Sequence, residues 1–165
     1  MSSFKSPNPT RRALILGALA LGGCGFSPVY GTHGNGGVLR NTLDVETPAT
    51  REGFRLRARV EDRLGRAADL QYRLQVTLEI GATPIAITTQ QDTTRYNLPG
   101  VANWTLVGAN DDTPLAAGQV DTFTAYSAAG TTVATTEAEG DARDRLAVAL
   151  ADLIIIRLMI AAQGL

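Results

Sequence analysis

Few side chains in this sequence could do covalent or acid–base chemistry, and they lie far apart. Cys24 is the only cysteine and His33 the only histidine. One thiol allows no disulfide within the chain, no Cys-x-x-Cys redox site and no thiolate metal site. His33 sits in Gly31-Thr32-His33-Gly34-Asn35-Gly36-Gly37. A metal ligand or base would need a second partner, so this setting reads as a solvated, flexible linker. Asp111 and Asp112 are adjacent in Asn110-Asp111-Asp112-Thr113-Pro114. Two carboxylates could act as acid and base or hold a metal. Asn and Asp also bond their own backbone in turns, and no calcium-type loop with a distal Glu follows, so a turn is expected. Arg51, Arg55, Arg59 and Arg63 recur every four residues. On a helix they form one row, with two readings. Guanidinium forks pair with phosphates or with a partner's carboxylates. The alternative is a solvated face, partly neutralised by Asp62 with Arg59 and Arg66.

The position of Cys24 gives it a specific chemistry. Leu21-Gly22-Gly23-Cys24 matches the lipobox of bacterial lipoproteins, a Leu, two small residues and a Cys. Small residues before the cut fit an intramembrane peptidase, and the thiol accepts a diacylglycerol. Upstream, Arg11 and Arg12 precede the apolar run Ala13 to Leu21. That run is far below the roughly 20 residues of a spanning helix and has the layout of a secretory signal. Thr10-Arg11-Arg12-Ala13-Leu14 also faintly resembles a twin-arginine signal, so the export route stays open. The expected organisation is a signal peptide over 1–23, a lipidated N-terminus and Gly-rich linker over 24–37, and one periplasmic α+β domain over 38–165.

Composition narrows the function classes. The chain has 165 residues and a formal charge of −1. Removing the 23 signal residues leaves 142, enough for one sizeable core. Those 23 carry Lys5, Arg11 and Arg12 and no acid, so −1 falls by three to about −4 in the mature chain. This balance argues against a nucleic-acid binder, which needs a large basic surface.

The elements that must position these groups follow from periodicity. Val38 to Glu46 reads as a strand, ended by Pro48. Thr50 caps a helix from Arg51 to about Ala67, with Leu56, Val60 and Leu64 as its apolar face. Leu70 to Ala82 alternates Tyr72, Leu74, Val76, Leu78 and Ile80 against Arg73, Gln75, Thr77 and Glu79, a strand covered on one side. Ile85 to Gly108 is β-prone, and Pro99-Gly100 predicts a bulge or kink there. Trp104 reads as core. Leu115 to Ser127 gives the last strand. Thr136 and Glu139 form a capping-box pattern, predicting a helix from Glu137 to about Ala162. Its expected core face is Ala142, Leu146, Ala149, Leu150, Leu153 and Ile160. Leu153 to Ile160 is apolar nearly all round, so it should be buried on more than one side or covered by another protein. Asp152 and Arg157 make it too charged to span a membrane.

The segment Cys24-Gly25-Phe26-Ser27-Pro28-Val29-Tyr30-Gly31 resembles the mature N-terminus of the LptE family of lipopolysaccharide-assembly lipoproteins, which often show Cys-Gly-Phe-x-Pro-Leu-Tyr-Gly; Val29 replaces the Leu. The element order agrees, and so does a helix rich in Ala and acid following Tyr126. The resemblance implies an α+β fold, two helices on one face of a four-stranded mostly antiparallel or mixed sheet, in the order β-α-β-β-β-α. It implies a non-catalytic subunit without cofactor or metal. Such a subunit is lipid-anchored through Cys24 on the periplasmic side of the outer membrane, where it plugs the LptD barrel, supports its assembly and binds lipopolysaccharide. Gly25 after the Cys carries no aspartate to favour inner-membrane retention. Arg51, Arg55, Arg59 and Arg63 are the best-clustered candidates for lipopolysaccharide or partner contact. A periplasmic auxiliary lipoprotein of a lipid-transport ABC system is the runner-up, and an acid-dependent hydrolase a third class.

Acylation is directly measurable. Intact-mass analysis of the membrane fraction should give a chain starting at Cys24 and carrying several acyl chains. More than one is needed, because a single chain anchors only marginally at ~0.8 kcal/mol per buried CH₂. A mature N-terminus without lipid would refute it.

Overall fold

The computed structural model describes residues 37–87, 93–110 and 113–164. In order these form β1 (Leu43–Glu46), α1 (Arg51–Leu64), β2 (Tyr72–Ile80), β3 (Thr83–Ile87), β4 (Thr93–Gly108), β5 (Pro114–Ser127) and α2 (Thr132–Ala161), ending in a 3-10 turn (Ala162–Gly164). β1 runs parallel to β2, with Leu43 opposite Tyr72. β2 runs antiparallel to β4, from Tyr72 opposite Gly108 to Ile80 opposite Gly100. β3 then continues along the same edge of β4, with Thr83 opposite Asn97. β5 pairs with the other edge, from Arg95–Ser127 to Val107–Pro114. The fold is α+β as expected, but the sheet has five strands and not four. β2 and β3 lie end to end, filling the place of one long strand, and what reads as a single β-prone run from Ile85 contains the end of β3.

Pro99-Gly100 explains this break. The ladder to β5 runs through it without irregularity, so the expected bulge is absent there. The Pro99 carbonyl accepts from the Gly81 N–H at 2.9 Å. The main-chain groups of Pro99 therefore point at the β2–β3 junction and away from β5. The missing proline N–H falls where the neighbouring strand is interrupted, and costs no ladder bond. Gly100 faces the helices. A Cβ there would lie 2.9 Å from Leu146 Cδ2, so the absent side chain lets α2 settle on the sheet.

Both helices cover one face. Leu74 and Val76 of β2, Leu98, Ala102, Trp104 and Leu106 of β4, and Val120 and Tyr126 of β5 point inward. They meet Leu56, Val60 and Leu64 of α1, the face expected for that helix. α1 starts at its expected cap, where the Thr50 side chain accepts from the Gly53 N–H, a contact typically worth about 1 kcal/mol. It ends at Leu64, three residues early, because Gly65 takes φ +80 and a Cβ there would collide with Asn41 Oδ1. Asn41 is itself left-handed at φ 61 and ties the turn 37–42 to the helix end through Asn41 N–H to the Leu64 carbonyl, 2.9 Å. β1 is accordingly four residues long, shorter than the strand expected from Val38.

α2 starts five residues before its expected first residue. Thr131 is the cap, accepting from the Ala134 N–H, while Thr136 lies inside the helix and bonds back to the Thr132 carbonyl at 3.0 Å. The capping-box reading of Thr136 and Glu139 is thus corrected. The core face is also corrected. Ala142, Leu146 and Leu150 are buried, as are Ile154, Ile155 and Leu158, whereas Ala149 and Leu153 are half-buried and Ile160 is 56% exposed. The most apolar window of this helix has a mean hydropathy of 2.0, and half of that window is buried within the fold. Trp104 is core, and its indole lies across β5 at Gly118, whose Cβ would be 3.0 Å from Cζ2.

Leu150→Ala removes a fully buried side chain under α2. It should cost roughly 2–5 kcal/mol in a denaturant titration. Gly100→Val should also destabilise, by forcing Leu146 outward. An unchanged midpoint for both would remove the packing described.

Candidate functional site

Cys24, His33 and the Asp111-Asp112 pair all lie outside the described residues. The arginine row lies within them, on the side of α1 that faces α2. Helical spacing of four places Arg51, Arg55, Arg59 and Arg63 along one line. Arg51 donates Nε to Asp144 Oδ1 at 2.9 Å and Nη2 to Oδ2 at 3.0 Å. Arg55 donates Nε to the same carboxylate at 3.2 Å. Two turns on, Arg59 makes the same fork with Asp152, at 2.9 and 3.1 Å, and Arg63 approaches that oxygen at 4.0 Å. Arg59 also reaches Asp62 at 3.5 Å. The structure thus brings all four arginines together, but onto carboxylates of the chain's own second helix. Neither sequence reading named these partners.

A signal for them exists in the sequence. Asp144 and Asp152 are eight residues apart, as are Arg51 and Arg59, and both forks join residues 93 apart. Only helices running side by side in one direction satisfy both. Nothing in α1 alone announces this, because the match appears only when the two helices are compared.

The row continues into a second network. Arg143 pairs with Glu139 at 2.8 Å and with Glu52 at 3.5 Å, and Glu139 accepts from the Tyr126 hydroxyl at 3.4 Å. Tyr126 stacks on Tyr96 with centroids 5.3 Å apart. Burial, then the nearby Glu139 charge, pushes the Tyr126 phenol up. Arg145 pairs with Asp141 one turn away. On the far side of α1, a cleft of about 600 Å³ is lined by Leu43, Phe54, Arg57, Ala58 and Glu61. Its charges satisfy each other: Glu61 accepts from Arg57 at 2.7 Å and Arg66 at 3.0 Å, and Arg57 reaches Asp44 at 3.4 Å.

This arrangement is suited to holding charge in place and poorly suited to proton transfer. The Arg51 hydrogen bond, helped by the Arg51 and Arg55 charges, holds the Asp144 carboxyl below its ordinary value. Glu61 is likewise lowered, chiefly by its hydrogen bond from Arg57. Among the described residues no cluster of three His, Cys, Asp or Glu could hold a metal.

A pH dependence follows from the Asp144 shift. Its folded value lies below the ordinary 3.8, so the stabilisation is fully present above about 3.8. It is lost as pH falls through the depressed folded value. Asp144→Asn should therefore lower the melting temperature at neutral pH and flatten the acid limb below pH ~4. Equal acid limbs in the two proteins would show that the Arg51 fork adds nothing to stability.

The fold and sequence can be placed among known proteins. A lipoprotein candidate of Caulobacter crescentus superposes with a TM-score of 0.63 at 22% identity, covering 79% of this chain and 96% of that one. Rare lipoprotein B of Shewanella oneidensis gives 0.56 at 11% identity, covering 74% and 96%. A minor lipoprotein of Acinetobacter baumannii gives 0.54 at 16%, covering 73% and 91%. At these identities the likeness is one of fold. No curated protein is a significant match. The sequence profile of the LptE family, described as lipopolysaccharide-assembly, matches residues 40–158, which takes in every strand and nearly all of both helices. On that match, this chain belongs to the LptE lipopolysaccharide-assembly family.

Proposed function

We propose that residues 1–23 are removed on export, that Cys24 is acylated, and that residues 38–165 form a periplasmic domain tethered to the outer membrane through residues 24–37. There the domain plugs the lumen of the LptD barrel, supports its assembly and assists delivery of lipopolysaccharide to the surface. It works by binding and not by catalysis. The observation that carries this reading is the family match over 40–158, joined to a lipobox cysteine upstream of it.

The arginine row is the proposed place of lipopolysaccharide contact, with a division of labour. Arg51 and Arg59 are committed to bidentate forks. Arg55 and Arg63 share the same two carboxylates through single, longer approaches and are about half exposed. These two retain guanidinium donors for a phosphate. Such contacts weaken with salt, since exposed charges are screened within about 8 Å at physiological ionic strength.

Depletion in the native organism tests the role. Surface lipopolysaccharide and correctly assembled barrel should both fall, and a large β-barrel should co-purify with the chain. Normal levels of both refute the assignment. Changing Arg55 and Arg63 to Gln should spare barrel assembly while weakening lipopolysaccharide binding in low salt. Unaltered binding would take the row out of the contact.

A further inference from the structure

Acylation of Cys24 leaves the residues that follow it without a role. Gly25-Phe26-Ser27-Pro28-Val29-Tyr30-Gly31 carries no charge, and its apolar and aromatic residues fall within the five positions 26–30. The next stretch, Thr32-His33-Gly34-Asn35-Gly36-Gly37, has none. A tether needs only length and freedom, which the Gly-rich stretch supplies. Two rings, a proline and a valine in five residues add nothing to a tether. They are suited to filling an apolar recess, and the proline lowers the entropy lost in doing so.

The cleft of about 600 Å³ between α1 and β1 is such a recess. Phe54, Ala58 and Glu61 stand at i, i+4 and i+7 along its helical wall, and Leu43 of β1 lines the other side. Phe54 is the only large apolar side chain of α1 that is exposed, at 61%. The charges here answer one another: Glu61 accepts from Arg57 and Arg66, and Arg57 reaches Asp44. A charged occupant would have to break these pairs, and a neutral one would not. The chain also enters the domain at this place. Asn41, one turn after Gly37, donates to the Leu64 carbonyl at 2.9 Å and accepts from the Ala68 N–H at 2.8 Å. Between those contacts lie Arg66 and Ala67, which line the cleft beyond the C-terminal end of α1. Tyr30 is seven residues before Gly37, a reach of up to about 25 Å. Phe54 is ten residues before Leu64, about 15 Å along the helix.

We propose that Phe26 to Tyr30 of the same chain docks in this cleft, its rings against Phe54 and Ala58. The segment is neutral where the cleft is self-neutralised, and apolar where Phe54 lacks cover. Residues 31–36 are long enough to reach. They are also short enough to hold the segment at a roughly millimolar effective concentration, so a weak contact suffices. Docking shortens the free chain between Cys24 and the domain from the thirteen residues 24–36 to Cys24 and Gly25 alone. One consequence rests on the acylation proposed above: the lipidated Cys24 is held at the flank formed by α1 and β1, and that flank turns toward the membrane. A free tether of thirteen residues would leave the domain to turn in any direction.

The test uses the full chain purified from the membrane fraction in mild detergent. Ala58→benzoylphenylalanine, a photo-crosslinking substitution, should join to residues 26–30, read by peptide mass spectrometry. Mixing light and heavy isotope chains should give crosslinks within one chain only. Chymotrypsin should cut after Phe26 and Tyr30 at least tenfold faster in Phe54→Glu than in the unaltered chain. Phe54 is exposed, so that variant should keep the circular dichroism of the folded domain. Equal cutting rates in the two proteins overturn the proposal, whether the segment is free in both or shielded by the micelle in both. A crosslink that misses 26–30, or that joins a light chain to a heavy one, also overturns it. So does a crosslink to a different protein, which gives the cleft to that partner. The intact mass of the same sample reports acylation separately, and both readouts hold whether or not Cys24 carries lipid.

Discussion

A helix of thirty residues whose second half is apolar nearly all round exists in water only if several surfaces cover it, and the covering of α2 is the constraint on which this fold depends. Below it, the sheet offers an inward row that narrows to glycine at Gly100, where Leu146 comes down. Beside it, α1 supplies a row of guanidiniums for Asp144 and Asp152. The rest of the topology serves those two contacts. β1, α1 and β2 form a parallel unit that sets α1 alongside α2, and the long β4–β5 pairing builds the floor. Deleting either support exposes a large apolar area at about 25 cal/mol per Å².

The two supports differ in kind. The floor is non-directional and supplies most of the free energy, since each fully buried leucine contributes about 1.5–3 kcal/mol. The ion pairs are half exposed, and exposed pairs contribute little singly. Their value lies in geometry. A bidentate fork fixes both the spacing and the rotation of one helix against another, and two forks 93 residues apart in sequence fix the register along the axis. An apolar interface between two smooth helices would tolerate sliding that these forks forbid.

What the sequence made legible follows the same split. The alternation of β2 and the Leu56-Val60-Leu64 face of α1 report burial on one side only, and both elements were placed on the correct side chains. The one-sided cover was legible for the same reason, and so was the order of elements apart from the extra strand β3. α2 was not, because an all-round apolar run carries no phase. Ile154 and Ile155 are chemically indistinguishable from Ile156 and Ile160, and only the surrounding elements decide which go under. The end of β2 was legible in the Gly81-to-Pro84 stretch, but β3 as a separate strand was not. Only its pairing with Thr93–Asn97, on the edge of β4 that β2 also uses, sets it apart from the β-prone run that follows. At the candidate site, the reading of Cys24 rests on local order alone and lies outside the described residues, whereas the partners of the arginine row required knowing that two distant helices lie side by side.

The choice of arginine throughout the domain fits this picture. Lys5 is the only lysine, and it precedes Cys24. A lysine at 51 or 59 would give a single point charge on a flexible stem, with no fork to set rotation. Four guanidiniums share Asp144 and Asp152 across the seam and Asp62 on their own helix, and Arg55 and Arg63 make only single approaches. The forks of Arg51 and Arg59 fix the stretch of helix that carries Arg55 between them and Arg63 one turn beyond. An anion arriving there meets donors whose spacing is already set, and less conformational freedom is lost on binding. The same pairing that locks the helices together thus holds Arg55 and Arg63, each about half exposed, at set places on the surface, the place proposed above for lipopolysaccharide contact.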